Sequence, residues 1–299
     1  MAVRRSDLYL PANNEHMILK APTLGADVIT LDMEDSVPPA EKEVARQMVK
    51  KHIKKMSTTG SEAWVRINAW DTDLTLADLD AVVVDGLDGI TLPKCSGLAD
   101  VRRLDDEITR LEKLRDLPVG KIKIAILIET ALGVLTVDES VGGSSRLVAV
   151  IFGAVDYTRD MRVTRTDKAD EQFYARAKIG VAARAHGLVA EDAPFPNYSD
   201  VEAFEANCRS GAQLGFEGRQ IINPRQIAAA HKVYSPDPAR VEWAKKITKV
   251  FEEEGLAKGS ASVGFEGSMI DIPVYRDGLN ILARQKEIEE KESARGAKA

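Results

Sequence analysis

The sequence predicts a (β/α)8 TIM barrel followed by a C-terminal helical lid segment. Three observations predict it. Strand and helix patterns alternate eight times between Ser6 and Val233. The strand patterns are short, continuous apolar runs, such as ADVITLDM at 26–33, Ile122–Ile128 and Leu147–Phe152, as expected of parallel strands buried on both faces. The connections between them are short. An open doubly wound sheet is the alternative topology with the same alternation.

Ser6–Leu10 reads as the first strand, closed by Pro11 and the Asn13-Asn14 turn, with a short helix over Glu15–Ala21. Ala26–Met33 is the second strand and ends in Glu34-Asp35. Pro38-Pro39 opens the next helix, which runs to about Lys55, because proline is tolerated in a first turn. Ala63–Asn68 is strand three, Thr75–Val84 a helix, Gly89–Lys94 strand four and Leu98–Leu117 a long charged helix. Strands five and six are the apolar runs at 122–128 and 147–152, with one helix length between them. Asp170–His186 is a helix and Val189–Pro194 strand seven. A helix capped by Ser199 runs to Leu214, and Arg219–Asn223 is strand eight, ended by Pro224. The barrel is expected to occupy 1–235. The extension at 236–299 holds a helix over Ala239–Glu254, a Gly/Ser-rich mobile linker at 259–268 and a helix over Met269–Lys291, with a frayed polar end to Ala299.

The chain has 299 residues, 44% of them hydrophobic, enough for a large core, and a formal net charge of −6. That charge speaks against broad nucleic-acid binding. Two cysteines, Cys95 and Cys208, cannot build a disulfide framework and fit a reducing compartment. No run approaches the roughly 18 apolar residues of a membrane span. A cytoplasmic protein is expected, with a matrix form that has lost its transit segment as the alternative, and with no nucleic-acid or membrane partner.

Residues at strand C-termini share one mouth in a barrel. Here they are Glu34, Asp35, Arg66, Lys94, Glu129, Asp156 and Asn223. Glu129 and Asp156 follow neighbouring buried strands and make an oxygen-lined cup of the kind that holds Mg²⁺. Arg66 can hold an anionic substrate. Gly153-Ala154 leaves backbone N–H groups open to a ligand carboxylate. A structural salt-bridge ring at the barrel rim is the rival explanation for the acids, and a tight turn for Gly153-Ala154. Arg4, Arg5 and Lys20 can pair with ligand phosphates or be ordinary surface charge. There is no GxGxxG, Walker loop or HExxH, and the four histidines have no metal spacing.

LYLPANNEHMILKA, DVITLDMEDSVPPAEKEVAR, VRIN, LPK, IET, FGAVDY and INP occur in this order along the predicted barrel. Together they resemble the citrate lyase β-subunit-like group of the HpcH/HpaI aldolase superfamily, which includes malyl-CoA and citramalyl-CoA lyases. The resemblance implies a Mg²⁺-dependent carbon–carbon lyase, with Mn²⁺ as the substitute metal, acting on a 3-hydroxyacyl-CoA thioester. Its products are an α-keto acid and a shorter acyl-CoA. It implies that Glu129 and Asp156 are the metal ligands, that Arg66 binds the keto acid, and that Glu34 and Asp35 order metal-bound water and nearby basic groups. It puts Arg5, Lys20 and Lys42 near CoA or its phosphates. The segment GFEGSMIDIP resembles one that supplies a catalytic aspartate, often across a subunit boundary; here that residue is Asp271. Shorter relatives lack this segment, so its presence favours a self-contained CoA lyase over a citrate-lyase complex subunit. A homo-oligomer, trimer or hexamer, is expected, with the C-terminal segment reaching a neighbouring subunit. The alternatives are a malyl-CoA thioesterase using the same cup, or a citrate lyase β-like subunit acting on a carrier-bound thioester.

Overall fold

The structure is a computed structural model and describes residues 2–166 and 168–296. The last three residues, where fraying is expected, lie outside the described residues. Eight parallel strands close into a barrel: β1 (Ser6–Pro11), β2 (Val28–Asp32), β3 (Glu62–Arg66), β4 (Gly89–Leu92), β5 (Lys123–Ile128), β6 (Leu147–Phe152), β7 (Val189–Asp192) and β8 (Gly218–Ile221). Closure comes from β1 pairing with β8, Ser6 opposite Arg219, which excludes the open sheet. The surrounding helices are α1 (Glu15–Lys20), α2 (Lys42–Met56), α3 (Thr75–Val82), α4 (Leu98–Leu114), α5 (Ala131–Ser140), α6 (Ala154–Asp160), α7 (Phe173–Ala185), α8 (Val201–Gln213) and α9 (Ile227–Tyr234). Thr130 caps α5 by accepting from the Gly133 N–H at 3.0 Å. The cap of α8 is Asp200, which accepts from Ala203 N–H at 2.9 Å, rather than the expected Ser199.

Alternate strand residues point inward. Val28, Trp64, Ala125, Leu127, Ala149, Ile151 and Val189 form an apolar interior, while the other face of each strand packs under the helices. Asp7, Thr30 and Glu191 interrupt that interior and are buried.

The C-terminal segment is helical but contains more order than the sequence suggests. After α10 (Pro238–Val250), the stretch expected to be a mobile linker forms an antiparallel hairpin, β9 (Ser262–Phe265) with β10 (Ser268–Asp271). Val263, Phe265 and Ile270 pack it onto Ile247 and Phe251. Its long helix α11 (Ile272–Gly296) then runs to the N-terminal ends of β1 and β2. There Lys291 donates to the Val3 and Asp27 carbonyls, and Arg295 to those of Gly25 and Ala26. Within one chain α11 therefore closes the barrel face opposite the mouth.

Candidate active site

The apolar run of β5 ends at Ile128, and inward alternation places Glu129 at the mouth, 3% exposed. Its Oε1 accepts from the Lys94 backbone N–H at 2.9 Å. Lys94 itself takes a left-handed φ of 49°, unusual for a side-chain-bearing residue and a mark of strain held at a site. On the other side lies Gly153: a Cβ there would fall 2.6 Å from Glu129 Cβ and Oε2. Glycine at 153 is what lets the carboxylate occupy this place. Asp156 projects from the first turn of α6 and is ion-paired to Arg159. Burial, with the Glu34 and Asp156 charges, pushes Glu129 up to about 8. A carboxyl raised this far by neighbouring acids is one that a cation would relieve. Among the described residues no three His, Cys, Asp or Glu side chains form a metal cage. Two carboxylates with space for water suit Mg²⁺, which keeps several of its waters.

Across the cup, Arg66 ends β3. Its Nε and Nη2 donate to both oxygens of Asp32 at 2.7 Å each, and its Nη1 lies 3.1 Å from Glu34 Oε2 in an ion-pair contact outside hydrogen-bond geometry. The guanidinium rests over the Tyr9 ring, 5.4 Å from its centroid. Lys94 Nζ donates to Glu34 Oε1 at 2.7 Å, so Glu34 sits between two cations. Asp35 is exposed on the rim. Tyr9, Asp32, Asp35, Arg66, Glu129, Gly153 and Asp156 line a cavity of about 480 Å³. Asp32 is the residue that sequence reading missed. It stands within the β2 apolar run, yet it is the carboxylate that fixes Arg66.

Several expectations are corrected. The Gly153 N–H is not open to a ligand, because it donates to Ile128 O at 3.0 Å; the glycine is needed for space instead. Arg5 is 1% exposed at the strand N-termini, on the face away from the mouth, paired with Asp27 and Glu292, and cannot meet a CoA phosphate there. Lys42 is buried, and its Nζ donates to Met33 O, Glu34 O and Asn68 Oδ1, bracing the turn that carries Glu34. Of the three basic residues, only Lys20 is exposed, in the last turn of α1 after β1. Asn223 caps the turn after β8 by accepting from Arg225 N–H. Asp271 is not brought to the cup within one chain; its Oδ1 accepts from Val274 N–H at the start of α11.

Residues 5–224 match the family HpcH/HpaI aldolase/citrate lyase. The chain belongs to this family. It is accordingly a lyase by class. It is 39% identical over 280 residues to the citrate lyase subunit beta of Leuconostoc mesenteroides subsp. cremoris, covering 94% of this chain and 92% of that one. It is 32% identical to the mitochondrial citramalyl-CoA lyase of Mus musculus, covering 96% and 88%. It is 31% identical to the L-malyl-CoA/beta-methylmalyl-CoA lyase of Rhodobacter capsulatus, covering 96% and 95%. Among solved structures, CitE from Mycobacterium tuberculosis in complex with magnesium, acetoacetate and coenzyme A superposes with a TM-score of 0.76 at 28% identity, covering 95% of this chain and 98% of that one. One expectation falls here. The citrate lyase subunit matches nearly end to end, so the C-terminal segment does not by itself separate a CoA lyase from a citrate lyase subunit.

Proposed function

We propose that the chain is a Mg²⁺-dependent lyase that cleaves or forms a 3-hydroxyacyl-CoA of the malyl-, β-methylmalyl- or citramalyl-CoA type. The products of cleavage are glyoxylate or pyruvate and acetyl- or propionyl-CoA. The observation that carries this reading is the cup: one carboxylate just after β5 and one in the first turn of the helix after β6, facing a braced arginine across one cavity. Glu129 and Asp156 would hold Mg²⁺, or Mn²⁺ in its place. Bound there, the metal supplies Lewis-acid polarisation of the keto oxygen. Arg66, held rigid by Asp32, stabilises the negative charge on the 3-hydroxyl oxygen as it loses its proton ahead of carbon–carbon cleavage, and on the keto oxygen as it becomes an alkoxide in the reverse direction. Glu34 and Asp35 order water and the neighbouring cations. The Ala154 N–H, in the first turn of α6, is the backbone donor offered to the keto-acid carboxylate. Lys20, exposed in the last turn of α1, is assigned to a CoA phosphate.

Asp271 is assigned the proton transfer at the acyl-CoA α-carbon, delivered from a second copy of the chain. A homo-oligomer, trimer or hexamer, is part of this reading; the exposed apolar side chains Leu132, Leu135, Phe173, Tyr174 and Val181 on α5 and α7 are surface that a further copy would cover. A cytoplasmic location fits the two free, buried thiols, Cys95 and Cys208. No helix among the described residues is long and apolar enough to cross a membrane. The test is Glu129→Ala, which is expected to abolish Mg²⁺-dependent keto-acid release. Full activity in that variant excludes the reading.

A second reading, a citrate lyase β-like subunit acting on a carrier-bound thioester, is favoured by the 39% identity to the Leuconostoc protein. Turnover of free CoA thioesters by the purified chain would exclude a strict need for a carrier.

A further inference from the structure

A second cavity, of about 290 Å³, lies beside the cup and shares only Pro194 with its lining. It is bounded by the turn after β7, by α8, and by the segment leading into α7. Three arginines line it: Arg165, Arg176 and Arg219. Among the described residues, one buried carboxylate faces them. That is Asp192, already engaged by Arg176 through Nη2 at 2.5 Å and Nε at 3.2 Å, and by its neighbour's Ala193 N–H. Arg219 is 3% exposed. Its Nη1 stands 3.7 Å from Asp192 Oδ2 and 3.7 Å from the Cys208 sulfur, and its Nε has no partner. Arg165 is half-buried and has no hydrogen bond or ion pair among the described residues. Glu171, whose charge acts on it, is engaged by Thr166 and Gln172. Burial and the Arg219 charge both pull Arg165 below its usual value. Like-charged guanidinium groups thus face one cavity with one satisfied carboxylate between them, and unmatched cations are costly to bury.

We propose that this cavity binds a phosphate dianion, free or carried on a phosphomonoester. Arginine forks match tetrahedral oxyanions, and a dianion balances Arg165 and Arg219 where a single carboxylate would leave one unmatched. Asn207 and Gln172 line the same space and can donate to the remaining oxygens. The volume lies at the small end of ligand pockets, which suits a phosphate group rather than a whole cofactor. Because Pro194 belongs to both cavities, an occupant would bear on the end of β7 next to the cup.

The test is calorimetric titration of the full chain with inorganic phosphate, in chelator and at constant ionic strength. Saturable binding of one phosphate per chain is expected. Arg165→Gln, on a half-buried connecting segment, should weaken it at least tenfold, and Asn207→Asp, which adds a carboxylate to the lining, should do the same. Glu129→Ala should bind phosphate as the wild type does, so loss of lyase activity and loss of this site are told apart. Competition with acetyl-CoA separates the sources. Phosphate that raises the apparent Kd of acetyl-CoA marks the cavity as the seat of a CoA phosphate; phosphate that leaves it unchanged marks a separate ligand. No saturable phosphate binding, or wild-type binding in both lining variants, overturns the proposal.

Discussion

The cup depends on the absence of a side chain at position 153. Gly153→Ala would place a Cβ 2.6 Å from Glu129, so the carboxylate must shift. Metal affinity is expected to fall about ten- to a hundredfold, the usual cost of disturbing what orients a ligand. Calorimetry with Mg²⁺ checks this, and wild-type affinity would refute the tight fit. Arg66→Lys should be a poor replacement, since lysine cannot span both oxygens of Asp32. A loss of keto-acid affinity is expected, read from inhibition by pyruvate or glyoxylate. Glu129 and Asp156 were legible in the sequence because an acid closing an apolar run stands out. Asp32 was not, because a lone acid inside a run looks like part of the strand. Arg5 and Lys42 were legible as cations but not as buried ones: their partners, Asp27 and Glu292 for one and the Glu34 turn for the other, come together only in the fold.

At the scale of elements, the eight strand–helix units were readable from period and apolar content, since parallel strands buried on both faces have little freedom of composition. The β9–β10 hairpin was not. Gly and Ser dominate the stretch 259–268 that leads into it and holds its turn, and its order comes from Val263, Phe265 and Ile270 meeting Ile247 and Phe251 across the chain. The hairpin ends on Asp271, which α11 holds away from the cup of its own chain. A complementation experiment follows. Glu129→Ala and Asp271→Asn should each be nearly inactive alone, yet co-assembled subunits should recover part of the activity, because one intact cup can meet one intact Asp271. No recovery from verified mixed oligomers would contradict action across subunits.

For the whole molecule, the barrel interior carries a buried acid pair below the cup. Burial pushes Asp7 up to about 7 and Glu191 well above its usual value, each in the presence of the other. Between the ordinary aspartate value of 3.8 and about 7, the folded chain keeps a proton that the unfolded chain has lost. Folding stability contributed by this pair is therefore present below that window and falls as pH rises through it, by at most about 1.4 kcal/mol per pH unit for one proton. Glu191→Gln should flatten the decline in denaturant titrations between about pH 5 and 7, the upper part of that window; an unchanged slope would contradict a proton held on Glu191 in the folded chain. On the proposed function, the mouth of the barrel breaks a carbon–carbon bond in a free CoA thioester. The most direct measurement is mass spectrometry of products from malyl-, β-methylmalyl- and citramalyl-CoA incubated with the purified chain and Mg²⁺. Keto acid with acetyl- or propionyl-CoA from at least one thioester, absent with chelator, is the predicted result. Free hydroxy acid with CoA, or no turnover of any of the three, would contradict it.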